Sequence, residues 1–284
     1  MVHTDYQAIE GKRFGEERAL YESRGVWLKN CAFDGEEDGE SALKESSDIL
    51  VQHTLCNLRY PFWHDERLVI EDCEMTPLCR AALWYSNDVT IKNTKLHGTK
   101  ALRECSRVSM EGCDVLSAEF GWSVADVTVK DCTAEGEYFM MRAKNFAFDR
   151  VQFKGKYSFQ YCENGLLENC DLNTKDAFWH AKNVVVRNCT VRGEYLAWYS
   201  ENLTMIDCKI IGTQPFCYCK GLRLVNCEMI DADLAFEKSE VEATITTPVV
   251  SIKNVASGTV RVPAVGELIK TDKRAMGQII LTNG

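Results

Sequence analysis

Five side chains have the types that acid–base or charge-stabilising chemistry uses: the carboxylates of Glu104, Glu119 and Asp176, the imidazole of His180 and the guanidinium of Arg142. A glycosidase sets two carboxyl groups roughly 5 to 9.5 Å apart across the scissile bond. A lyase needs a base beside a cation, a role open to Arg103, Arg142, Lys156 or Lys175. Glu104, Glu119, Asp176, His180 and Arg142 are therefore the catalytic candidates. The same stretches carry Tyr138, Tyr157, Tyr161, Phe178, Trp179, Tyr195, Trp198, Tyr199 and Tyr218, with Arg103 and Gln160 among them. Flat apolar rings suit the faces of sugars, and hydroxyl, amide and guanidinium groups suit their hydroxyls, so these are the ligand-binding candidates. Which of them meet depends on the elements that carry them.

Metal and cofactor chemistry find no motif. His3, His53, His64, His97 and His180 are unclustered, and Cys217-Tyr218-Cys219 has no second CxxC or paired histidine to complete a zinc site. No G-x-S-x-G, Walker loop or dinucleotide glycine fingerprint stands in a strand-to-helix setting, so neither a metal nor a cofactor is expected. With 33 basic and 42 acidic residues among 284, the net charge of −9 and pI near 5.2 disfavour a nucleic-acid partner. No apolar run approaches the roughly 20 residues of a membrane span, and Met1-Val2-His3-Thr4-Asp5 lacks the basic head of a signal peptide. A cytoplasmic protein with reduced thiols is the expectation, its 14 cysteines notwithstanding.

The cysteines reveal the elements. Cys113, Cys132, Cys170, Cys189, Cys208 and Cys227 stand 19 residues apart or twice that, with Val151 in the missing slot. Backwards the series continues through Thr94, Cys73, Thr54 and Cys31 at intervals of 19, 21, 19 and 23. Taking this slot as zero, apolar residues recur at −5 and −3, as in Val89-Thr90-Ile91, Val127-Thr128-Val129 and Val184-Val185-Val186, and again at +2. That alternation, rich in β-branched residues, is a strand signal. Asn, Asp or Gly fills −1, with His53 and Arg150 as exceptions; the same types fill −6 in most units; and Gly98, Gly136, Gly155, Gly193 and Gly212 stand at +4. Residues of these types make turns.

Three turns in 19 residues leave three short strands and no room for a helix. Stacked units of this kind form an all-β, single-stranded right-handed parallel β-helix, a solenoid of about eleven to twelve coils over residues 25–255, with residues 1–24 and 256–284 as caps. A leucine-rich repeat is the rival fold, but its units are longer, roughly 20 to 29 residues, and hold one strand. The slot cysteines read as a buried ladder of small apolar groups. The acidic run Gly35-Glu36-Glu37-Asp38-Gly39-Glu40 reads as a solvated loop leading into a short helix around Ser41 to Ser46.

The chain also resembles a family of uncharacterised bacterial proteins that carry a pectin-lyase-like right-handed parallel β-helix. The resemblance spans nearly the whole sequence and rests on Arg59-Tyr60-Pro61-Phe62-Trp63-His64, Glu119-Phe120-Gly121-Trp122, Gly155 to Tyr161, Lys175-Asp176-Ala177-Phe178-Trp179-His180 and Gly193 to Tyr199. It implies the fold and its handedness and carries over no catalytic residue.

The third side of each coil, from +5 to +11, gathers the aromatics. Strand alternation puts either +6, +8 and +10 outward, exposing Phe178, His180, Tyr161 and Tyr199, or +7, +9 and +11, making Trp84, Trp122, Trp179 and Trp198 the platform beside Arg103 and Gln160. By strand rise Glu104 and Glu119 lie about 14 Å apart and Asp176 and His180 about 13 Å, too far for direct pairs. The function indicated is recognition of a carbohydrate or related polar ligand on this face, extending to glycan hydrolase or lyase activity if the protein is an enzyme. The alternative is a non-catalytic scaffold using the same face for a protein partner or self-association, with the oligomeric state open.

Overall fold

The computed structural model describes residues 6–35 and 39–282. The fold is an all-β parallel solenoid of about 14 turns with a period near 19 residues, and no helix is present among the described residues. The count exceeds the eleven to twelve coils expected, because parallel pairing continues past the visible period. Gln7–Glu10 pairs in register with Arg24–Lys29, and Gln278–Leu281 pairs with Ser257–Val262. The helix expected around Ser41 to Ser46 is a turn, with Ser41 and Glu45 both left-handed at φ 61°. Of the acidic run before it, residues 36–38 lie outside the described residues. The chain divides into two compact units, Met1–Phe139 and Met140–Gly284.

In the first unit the long strands Ser47–Gln52, Glu66–Glu71, Asn87–Lys92, Ser106–Glu111 and Ala125–Lys130 pair parallel without slippage, so that Ile49, Leu68, Val89, Val108 and Val127 form one column. Those five, and Val51, Ile70, Ile91, Met110 and Val129 at the next inward position, are no more than 4% exposed. Burial of each contributes about 1.5–3 kcal/mol. Shorter strands, among them Glu74–Met75, Lys95–Leu96 and Asp114–Leu116, make the second side. The second unit repeats the scheme with Lys144–Asp149, Glu163–Glu168 and Lys182–Arg187 on the first side and Gln152–Lys156, Asp171–Lys175 and Thr190–Arg192 on the second.

The −1 and −6 corners are left-handed, and the expected exceptions obey them: His53 has φ 49° and Arg150 φ 52°. Asn is cheap in this conformation, and stacked copies bond one another. Asn183 Nδ2 donates to Asn164 Oδ1 at 3.3 Å, and Asn202 Nδ2 to Asn183 Oδ1 at 3.1 Å. The +4 column is a turn in only part of the chain: Gly98, Gly193 and Gly212 stand in bends, the last two at φ 142° and 134°, whereas Gly136 and Gly155 lie within the strands Thr133–Gly136 and Gln152–Lys156. Glycine serves this column for close approach as well, since a Cβ on Gly193 would stand 1.5 Å from the Thr174 carbonyl oxygen. The slot cysteines are buried and unpaired, as are all 14; the Cys170 N–H donates to Cys189 Sγ at 3.2 Å.

Candidate functional site

The third turn is the site's scaffold. In four successive coils of the second unit the residues at +6, +8 and +10 all have φ between 49° and 62°, from Tyr157, Phe159 and Tyr161 to Gln214, Phe216 and Tyr218. Side chains alternate only along extended backbone, and a left-handed residue at every second position breaks that rule. Neither expected phase therefore holds. Phe159, Phe178 and Phe216 at +8 turn inward and are 0% exposed, which corrects the assignment of Phe178 as an outward ligand-binding ring. Phe159 stacks on Phe178 at 5.2 Å. Each non-glycine left-handed residue costs about 1–2 kcal/mol, a cost offset by burying a phenylalanine in the same curl.

At +9 in the second unit the half-buried Trp179 and Trp198 and the buried Gln160 serve the backbone. Trp179 Nε1 donates to the Tyr195 carbonyl at 2.6 Å and Trp198 Nε1 to that of Gln214 at 2.8 Å. Gln160, buried, does the same with Nε2 to the Asp176 carbonyl at 2.9 Å. In the first unit Trp63 and Trp84 bond Ala81 and Lys100. The tryptophans are thus not an open platform: Trp179 and Trp198 stack on each other at 5.4 Å, 2° from parallel.

At +10 in the second unit Tyr161, His180, Tyr199 and Tyr218 form a continuous outward stack, with centroids 4.9, 5.0 and 4.8 Å apart and planes within 9°. Tyr161 is 48% and Tyr199 43% exposed. Lys238 Nζ lies over the Tyr218 ring at 5.8 Å, and burial raises the Tyr218 phenol above its ordinary pKa. At +6, Tyr157 and Tyr195 are half-buried, covered by Lys156 and Lys175 at 5.3 and 5.2 Å. Asp176 is buried between these coils; burial raises its carboxyl above the usual range, opposed by nearby Lys175, which itself pairs with Glu194 at 3.0 Å. Arg142 is exposed and makes no ion pair among the described residues.

In the first unit the rim row is Trp63, Trp84, Arg103 and Trp122, with Tyr138 stacked on Trp122 at 6.0 Å. Glu104 is exposed, its carboxylate 3.9 Å from Arg103 Nε, and Glu119 is paired with Lys100 at 3.7 Å. The two glutamates thus have separate cationic neighbours. Among the described residues no three metal-ligating side chains cluster, and no helix is long and apolar enough to cross a membrane.

Residues 7–281 match the family model described as "protein of unknown function (DUF3737)". The chain belongs to this family. No curated protein matches it in sequence. Among solved structures this DUF3737 chain is similar to the A-module of the Azotobacter vinelandii mannuronan C-5 epimerase AlgE4, at 10% identity over 84% of this chain and 91% of that one, with a TM-score of 0.43. It is similar also to PfbA, a surface adhesin of Streptococcus pneumoniae, at 10% identity over 78% and 84% with a TM-score of 0.38. A third is the catalytic domain of a GH87 α-1,3-glucanase in complex with tetrasaccharides, at 8% identity over 99% and 68% with a TM-score of 0.39.

Sequence reasoning passed over two residues of this DUF3737 chain. Asp65 is an acid with a wholly buried side chain, in a column that its neighbours fill with Ser46, Ser86 and Cys105. Its signal was present, as a charged residue eight positions before the next slot, where adjacent coils carry small neutral ones. Ser117 was the other: its hydroxyl donates to the Glu119 carbonyl at 2.9 Å, the task that indoles perform in other coils.

Proposed function

We propose that the protein recognises an extended glycan along the outward row of its second unit, through hydrogen bonds to ring edges rather than stacking on ring faces. The observation that carries this reading is the stack of Tyr161, His180, Tyr199 and Tyr218 at 4.8–5.0 Å. Each inner ring has both faces covered by its neighbours, so a ligand meets the rims: phenol hydroxyls, which donate and accept, and imidazole nitrogen. Sugar hydroxyls have the same double capacity, and a chain of repeating polar units would meet one such group at each coil. Buried Asp176 and the Lys175–Glu194 pair add charged groups to these coils. The 14 unpaired thiols support a reducing compartment such as the cytoplasm.

A second reading is favoured by the same parallelism. Rings stacked within 9° stabilise coil-to-coil pairing by themselves, which suits a non-catalytic scaffold that uses the face for a protein partner or a second copy. Substitution of Tyr161 and Tyr199 by Phe separates the two, because Phe keeps the ring and the stack and removes only the hydroxyl. A thermal-shift panel of neutral, amino and uronate oligosaccharides should raise the melting temperature of the wild type with at least one glycan, by mass action. The double variant should melt like the wild type alone and lose that shift. A shift kept in full by the double variant places binding elsewhere, and none with any glycan leaves the scaffold reading.

A further inference from the structure

We infer that Arg103 is an oxyanion-binding point built into the third side of the first unit, open to a carboxylate, sulfate or phosphate group. It occupies a row whose other members are indoles. Trp63 stacks on Trp84 at 5.1 Å and 2°, and the Arg103 guanidinium lies between Trp84 and Trp122, 5.0 and 5.2 Å from their ring centroids. A ring on either side holds the guanidinium in place, and the side chain stays 31% exposed.

Two indoles of this row donate to the main chain, Trp63 to the Ala81 carbonyl and Trp84 to that of Lys100, 16 residues on. The carbonyl in the equivalent place for Arg103 is that of Glu119, and the Ser117 hydroxyl already donates to it at 2.9 Å. Arg103 is thereby released from the backbone task. Its Nε is buried without a hydrogen-bond partner, and none of its nitrogens has one among the described residues. Glu104 Oε1, at 3.9 Å, is beyond hydrogen-bonding distance, and the side chain remains 31% exposed. An immobilised cation with unspent donors suits a bidentate oxyanion. Glu104 fixes the sign of a second effect: as the adjacent acid it opposes anion entry.

This site lies in the first unit and stands whether or not the second unit binds a glycan. Sulfate, phosphate and glucuronate would be titrated separately into the full chain at constant ionic strength, reading tryptophan fluorescence and calorimetric heat. The wild type should bind at least one saturably. Arg103→Trp restores the row's own residue type, so it should fold normally and weaken binding about tenfold or more. Glu104→Gln should tighten it. Preference for glucuronate identifies a carboxylate ligand, and preference for sulfate or phosphate an ester. Equal responses in the wild type and Arg103→Trp, looser binding in Glu104→Gln, or no saturable binding of any of the three would overturn the inference.

Discussion

Replacing Asp65 by Ser should stabilise the first unit and flatten its dependence on pH. Ser46, Asp65, Ser86 and Cys105 succeed one another at one inward position, each no more than 2% exposed. The hydroxyls and thiol there donate to main-chain carbonyls, Ser46 to Leu20 at 3.3 Å, Ser86 to Phe62 at 3.0 Å and Cys105 to Leu83 at 3.4 Å. They also accept from the coil before, as Asp65 Oδ1 does from the Ser46 N–H at 2.9 Å, but Asp65 Oδ2 has no partner. Burial pushes the carboxyl up to about 8. The native protein therefore holds a proton that the unfolded chain gives up above pH about 4. Stability is fullest below that value, falls as pH rises through 4 to 8, and is level beyond. At pH 7 the loss is about 4 kcal/mol, a ceiling set by the raised carboxyl.

Asp65→Ser removes the acid and restores the donor its neighbours use, so a gain of about 2–4 kcal/mol at pH 7 is expected, shrinking toward pH 4. Urea denaturation at pH 5, 7 and 9 reads it as a midpoint that falls across the series in the wild type and much less in the variant. A variant with the wild-type pH profile, or one less stable at pH 7, refutes the reasoning.

Three other outcomes follow from the packing. Gly165→Ala would set a Cβ 2.1 Å from the Phe146 ring and should lower stability by about 1–3 kcal/mol, read by thermal melting; an unchanged melting temperature contradicts the packing described. Trp198→Phe leaves the Gln214 carbonyl without its indole donor and should cost about 1–2 kcal/mol, whereas a neutral substitution would show that the rim indoles are not structural. Burial pushes the thiols of Cys73 and Cys219 up to about 11 and Cys105 up to about 12, so maleimide at neutral pH should label them only after denaturation; rapid labelling of the native protein is the contrary result.

The coils were legible because their two longer strands obey strand alternation: Val89, Ile91, Val108 and Met110 point inward as their spacing dictates. Corner positions were legible too, down to His53 and Arg150, since the stacked register forces the left-handed conformation on whatever residue arrives there. The third side was not, because nothing in Tyr157, Phe178 or Tyr199 as residue types announces a positive φ, and a period-two pattern on such backbone sends Phe178 inward. The terminal coils were hidden for a different reason. Gln7–Glu10 and Gln278–Leu281 pair through main-chain bonds that need no repeated side chains. Arg103 was legible as an interruption of the tryptophan column, but its freedom from the backbone depends on Ser117, which only the structure shows.

Titrating extended glycans into the wild type and into Tyr161→Phe/Tyr199→Phe, with affinity measured by calorimetry, tests the central claim most directly. The account predicts saturable binding of at least one glycan by the wild type, and about tenfold weaker binding by a variant whose stack and melting temperature are intact. Equal affinity in the two proteins, or no binding by the wild type, would contradict recognition through the ring edges.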